Sequence, residues 1–259
     1  TSVTGVQTCA LPISMVSTRT FGLFCVALIA LMSVETMAMD IYSMGIHKPV
    51  TPKAPGLDLC PLCVQFFNES IQELIDVIAN VGIVGSCGAL CGYLPSKTLD
   101  SVCDLLCSIV GIDEFIKLIN IADPDPVYYC QALKVCPIDD NAAATINSVT
   151  SNPASGPQGT TFEIDMVFTV INQTGPGFIE ISVNPPDAEP FGDAQFTMGI
   201  APGQYGAKFN LQAQPSEQEP FNPGQYQVLL AICNGQCGSP HPHSKVLAEG
   251  QTNFTITGQ

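Results

Sequence analysis

The sequence predicts two domains in series: an all-α, disulfide-rich domain, then an all-β sandwich of immunoglobulin or fibronectin type. Three observations carry this. Eight cysteines fall between Cys60 and Cys136, inside segments whose apolar residues recur at helical spacing. After Pro137 the apolar period changes from helical to alternating. About seven short alternating segments, separated by Gly and Pro turns, occupy the rest of the chain.

Composition narrows the function. The chain has 259 residues, with 8 Lys and Arg against 23 Asp and Glu, for a net charge of −15. A nucleic-acid binder needs clustered cations to neutralise phosphates, so this balance excludes that class. It also argues against a basic, membrane-lytic peptide. Twelve cysteines suit an oxidising compartment better than the cytosol.

The first residues are unlike the rest. "VTGVQTCALPIS", Val3 to Ser14, resembles a translated sequencing adapter, so residues 1–14 are expected to be foreign to the protein, and Cys9 with them. From Met15 a short n-region with Arg19 leads into the apolar core "FGLFCVALIALMSV", with Ala38 as a small residue for cleavage. Residues 15–38 read as a secretory signal peptide, too short in its apolar core to span a bilayer, with a signal anchor as the alternative. Cys25 leaves with the signal. Removing Cys9 and Cys25 from twelve leaves ten cysteines, which suits five disulfides. Residues 39–57, rich in Pro and Gly, read as a flexible leader.

The helical domain is expected over 58–137. "CPLCVQFFNESIQELIDVIANVG" puts Leu62, Cys63, Phe66, Phe67, Ile71, Leu74, Ile75 and Ile78 on one face. Gln65, Asn68, Glu69, Gln72, Glu73 and Asp76 take the other. Pro61 suits the first turn and Gly82 the end. A short second helix carries Cys87 and Cys91 and stops at Gly92 and Pro95. A third begins after Ser96-Lys97-Thr98 and carries Cys103 and Cys107. A fourth runs from Asp113 to the Asp123-Pro124 breaker, and "PVYYCQALKVC" gives a fifth.

The β-domain is expected over 138–259. "TTFEIDMVFTV" alternates, with Phe162, Ile164, Met166, Phe168 and Val170 on one face. "GFIEISV", "QYGAKFNLQAQ", "GQYQVLLAIC", "SKVLAEG" and "TNFTITG" are further strands. Cys233 and Cys237 flank the turn signal Asn234-Gly235, which favours a local hairpin disulfide over a zinc half-site.

Cysteine spacing alone leaves the pairing of the other eight open; zinc and redox centres compete with disulfides. Cys87 and Cys91 share a helix face, as do Cys103 and Cys107. An antiparallel helical hairpin about Pro95 would bring Cys91 to Cys103 and Cys87 to Cys107. Pairing the domain's ends would nest Cys60–Cys136 outside Cys63–Cys130.

This pattern resembles the saposin B-type domain: a C-x-x-C opening an amphipathic helix, a cysteine pair across a helical hairpin, and a closing C-x5-C. The six-cysteine pattern maps onto Cys60, Cys63, Cys91, Cys103, Cys130 and Cys136; Cys87 and Cys107 are additional. The two-domain layout, with "VGIVGSC", "DPVYYCQALKVCP", "NPASGPQGTTF" and "CGSPHPHSK", resembles the countin family of secreted cell-number-counting factors. The resemblance implies an all-α, saposin-like leaf that meets lipid or a membrane surface. It implies an extracellular signalling or assembly factor, in a hetero-complex with other secreted proteins. The residues themselves offer no motif for catalysis, and neither a cofactor nor a metal is expected. Phe66, Ile71, Ile75, Ile78, Ile109, Phe115 and Ile119 are the expected lipid contacts; the alternative is that this apolar surplus is all core. A sphingolipid activator or lipid-transfer protein and an amoebapore-like effector are the competing functions.

Secretion, with the endolysosomal lumen as a further destination, suits three N-glycosylation sequons at Asn68, Asn172 and Asn253. Residues 58–137 carry ten acidic residues against three lysines. Anionic lipid should therefore bind better in acid, where carboxylates protonate. No hydrolase or metalloprotease motif is present. His241 and His243 form an H-x-H in "SPHPHSK", read as a turn between strands, with metal chelation as the alternative.

Overall fold

The computed structural model describes residues 39–43, 59–81, 85–121, 125–216 and 219–258. The segments read as adapter and signal, 1–38, and residues 44–57 of the expected leader lie outside these. Residues 39–43, expected to open the flexible leader, are instead part of a sheet. Met39–Ser43 forms strand β1, which pairs antiparallel with the later strand Gly203–Gln212. A sheet edge exposes unpaired N–H and C=O groups, and β1 satisfies them.

Five helices make the first region: α1 (Leu59–Val81), α2 (Cys87–Cys91), α3 (Lys97–Val110), α4 (Ile112–Ile119) and α5 (Pro126–Ala132). Each boundary has a chemical cause. Pro61 falls in the first turn of α1, where its missing N–H costs nothing. Ser86 and Ser96 cap α2 and α3 by accepting from the amides of Ala89 and Leu99. Gly111, at φ 87°, ends α3 with a backbone turn that other residues resist, and α4 follows at once. Asp125 caps α5 by accepting from the Tyr128 amide at 2.9 Å. The fifth helix is shorter than expected. Lys134 adopts φ 60°, and the amides of Val135 and Cys136 turn back to the Cys130 carbonyl.

The core of this region is Val64, Phe66, Phe67, Leu74, Leu90, Leu106, Phe115, Ile119, Val127, Tyr129 and Leu133, with the cysteines. The ring of Phe67 meets those of Phe66, Phe115 and Tyr129. Ser70 is a polar residue on the buried side of α1, and its hydroxyl donates to the Phe66 carbonyl at 2.7 Å.

The second region is all β. Its strands are β2 (Ala143–Asn152), β3 (Ser155–Pro157), β4 (Thr161–Asn172), β5 (Gly177–Asn184), β6 (Phe191–Thr197), β7 (Gly203–Gln212), β8 (Gly224–Asn234) and β9 (Lys245–Thr257). One sheet has the order β1-β7-β4-β2 and the other β3-β9-β8-β5-β6. Among the described strands the pairings are antiparallel except β3 with β9, and an isolated parallel bridge joins Gly177 to Gly235. The two sheets share one apolar core, to which β4 gives Phe162, Ile164, Met166, Phe168 and Val170 and β8 gives Val228, Leu230 and Ile232. Phe162 and Tyr226 both stack on Phe254 within it.

Two differences from the sequence reading have simple causes. "SKVLAEG" and "TNFTITG" are one continuous strand, β9, not two. Gly250 does not break it; a Cβ there would sit 2.8 Å from the side chains of Ile146 and Val149. The glycine is a close-approach site for β2 rather than a turn. Asn234-Gly235 is not a two-residue hairpin turn either. β8 ends at Asn234, β9 begins at Lys245, and the intervening loop serves another purpose.

Candidate functional site

The structure pairs Cys60 with Cys136, Cys63 with Cys130, Cys87 with Cys107, Cys91 with Cys103 and Cys233 with Cys237. Their Cα separations run from 4.7 to 5.9 Å, in the ordinary range. Two bridges staple α2 to α3. Two more tie the start of α1 to α5 and the turn after it. Five disulfides suit an oxidising compartment, as for a secreted protein.

The apolar residues expected to meet lipid divide sharply. Phe66, Phe115 and Ile119 are buried in the helical core. Ile71, Ile75 and Ile78 pack against that core from a partly buried position. Ile109 is different: it is 44% exposed. Leu105, one turn earlier on α3 and not singled out by the sequence, is 43% exposed. Tyr93, in the turn before α3, is 54% exposed. Residues four apart share a helix face, so Leu105 and Ile109 form an apolar stripe. Spacing marked the amphipathic helices but gave no sign of which apolar positions neighbouring helices would leave uncovered.

A second constellation joins the two regions. The loop between β8 and β9 reaches the start of α5. The His241 ring lies flat on Tyr128, with centroids 4.3 Å apart and planes 8° apart. The Ser244 hydroxyl donates to Asp125 Oδ2 at 2.8 Å. Asp125 is buried and uses its other oxygen as the α5 cap. His243 Nδ1 meets Asp140 Oδ1 at 2.7 Å. Asn234 donates to the Asp139 carbonyl at 2.6 Å and accepts from the Gly175 amide. Phe178 of β5 joins the helical core, and Phe196 and Met198 pack against it. The H-x-H pair is thus placed at this joint, each histidine with its own partner. Among the described residues no group of three or more His, Cys, Asp or Glu stands close enough to hold a metal ion. Nor is any described helix long and apolar enough to cross a membrane.

The outer face of the five-stranded sheet holds a groove of about 440 Å³ lined by Glu180, Ser182, Leu229, Ala231, Glu249 and Gln251 among others. Burial raises the Glu180 carboxyl above its ordinary value, opposed by the bond it accepts from the Cys237 amide. All three sequon asparagines are exposed: Asn68 on α1, Asn172 at the end of β4 and Asn253 on β9. Asn172 also donates to the Asn141 carbonyl at 3.0 Å.

Comparison with known proteins gives a consistent answer for both regions. Residues 58–134 match the Countin N-terminal domain, and residues 144–259 match the Countin C-terminal domain. Countin-1 of Dictyostelium discoideum is 46% identical over 204 residues, which covers 78% of this chain and 79% of that protein. Countin-3 of the same organism is 46% identical over 197 residues, covering 76% of this chain and 89% of that protein. Countin-2 is 45% identical over 202 residues, or 77% and 78%. The chain belongs to the countin family.

Proposed function

We propose that this chain is a secreted, non-catalytic countin-type factor that regulates the size of cell groups and meets a lipid surface through its helical region. The carrying observation is the Leu105–Ile109 stripe on α3, left exposed in a region locked by four disulfides. An apolar stripe on a stapled scaffold can enter a lipid surface without unfolding the core. The five helices and nested bridges support reading this region as a saposin B-type domain.

The strand order supports an immunoglobulin- or fibronectin-type reading of the second region. Tyr226, near the start of β8, donates to the Asn222 carbonyl at 2.9 Å, as the tyrosine corner of such sandwiches does. An appended sandwich supplies surface for other secreted proteins, which favours an assembly factor in a hetero-complex over a solitary lipid carrier. The joint through α5 would let the sandwich fix the direction in which the α3 stripe faces.

The test is a group-size assay. Purified protein added to aggregating Dictyostelium discoideum cells should change group size in a dose-dependent way. The Leu105→Asp/Ile109→Asp variant, if correctly folded, should lose that effect. No change with the wild-type protein would overturn the role; a fully active variant would overturn the use of the stripe.

A further inference from the structure

The groove on the outer face of the five-stranded sheet is built from a defined set of rungs. Pairing aligns Glu180, Ala231 and Glu249 across β5, β8 and β9. The next rung aligns Ser182, Leu229 and Gln251. On the rung after that, Asn184 and Asn253 flank Gln227. Short side chains at Ser182 and Ala231 lie between longer ones, which makes the sheet face concave. Leu229 is 39% exposed on the groove floor. Gln227 donates to Gln251 at 3.1 Å, so an amide pair forms the end of the groove beside Asn253.

The geometry points to a seat for the first sugars of an N-glycan carried on Asn253. Two features select this occupant. The first is the tether. Asn253 opens the sequon Asn253-Phe254-Thr255, is exposed, and lies on the same sheet face as Gln251. Two residues along a strand are about 7 Å, so a sugar on Asn253 begins at the groove's end. The second is the chemistry of the lining. A pyranose has apolar C–H faces and a rim of hydroxyls, and N-acetylglucosamine adds an amide. Leu229 and Ala231 offer an apolar floor. Ser182, Gln251, Glu180 and Glu249 offer hydroxyl, amide and carboxylate partners around it. The inference rests on the sequon reading of Asn253 and is independent of the group-size role.

The seated glycan would cover Leu229 and shield one face of β8 and β9. The experiment uses the full chain secreted from a glycosylating eukaryotic host. Peptide mass mapping first reads occupancy at Asn253. Trimming with an endoglycosidase to a single N-acetylglucosamine then permits nuclear Overhauser measurements between the Leu229 methyls and the sugar protons. The folded wild-type protein should also release its Asn253 glycan to an amidase about tenfold more slowly than an Ala231→Arg variant, whose side chain fills the groove. An unmodified Asn253 overturns the inference. So does an occupied Asn253 whose sugar shows no Leu229 contact, or a release rate unchanged by filling the groove. If the Ala231→Arg variant is not secreted, Ser182→Lys fills the same groove from β5, and the Overhauser measurement on the wild-type protein decides without either.

Discussion

His241 lies flat on Tyr128, with ring centroids 4.3 Å apart, and so ties a loop of the β-region to a helix of the disulfide-locked region. Beside it, Ser244 donates to a buried Asp125 that already caps the same helix. Aromatic pairs contribute about 0.5–1.5 kcal/mol beyond the area they bury. His241→Ala and Tyr128→Ala should therefore each lower stability, and a double-mutant cycle should return a coupling of about 1 kcal/mol. Additive effects in thermal or denaturant unfolding would mean that the two rings do not support one another.

The bridge between Cys87 and Cys107 adds a second staple to a hairpin already held by Cys91–Cys103. It spans a sequence separation of 20. The chain-entropy argument gives such a loop about 3 kcal/mol. The Cys87→Ala/Cys107→Ala variant should fold with the helical circular-dichroism signal of the wild type and unfold several degrees lower. An unchanged midpoint would show that the second staple adds nothing to stability.

Acid should favour the fold at two carboxyls. Burial raises Glu180, against the bond from the Cys237 amide, and burial also raises Glu219. A carboxyl with a raised folded pKa holds its proton more tightly folded than unfolded. Its contribution is fully present below the unfolded value, near pH 4.5, and is lost as pH rises through the folded value. Glu180→Gln removes the ionisation but keeps an acceptor for Cys237. The variant should be more stable than the wild type at about pH 7 and differ little at about pH 4. A variant less stable at neutral pH, by thermal unfolding, would contradict this.

Much of the architecture was legible because it depends on local rules. Helical spacing after Ser96-Lys97-Thr98 marks α3, the segment from Pro126 to Cys136 marks α5, and the alternation from Phe162 to Val170 marks β4. The strands that escaped notice lack that alternation. β2 reads "AATINSVTSN" and β6 reads "FGDAQFT", with a single buried residue between them, so their apolar signal is weak. Gly250 read as a breaker because its reason, the approach of Ile146 and Val149, lies far away in sequence. The apolar residues of the helical region were legible as apolar and no further. Phe115 and Leu105 differ only in what covers them, which is a property of packing. The joint was the least legible part: Asp125 and Tyr128 lie more than a hundred residues from His241 and Ser244, and no motif links the two pairs.

Lipid binding through the Leu105–Ile109 stripe is read out by vesicle co-sedimentation. Wild-type protein and the Leu105→Asp/Ile109→Asp variant would be compared on anionic vesicles at about pH 4.5 and about pH 7. Burying a Leu or Ile side chain is favourable by about 1.5–3 kcal/mol, so the two substitutions together should weaken binding about tenfold or more. The wild type should pellet with vesicles, more strongly in acid, and the variant should stay in the supernatant at both pH values. A wild type that never pellets, or a folded variant that pellets as well as the wild type, would contradict it.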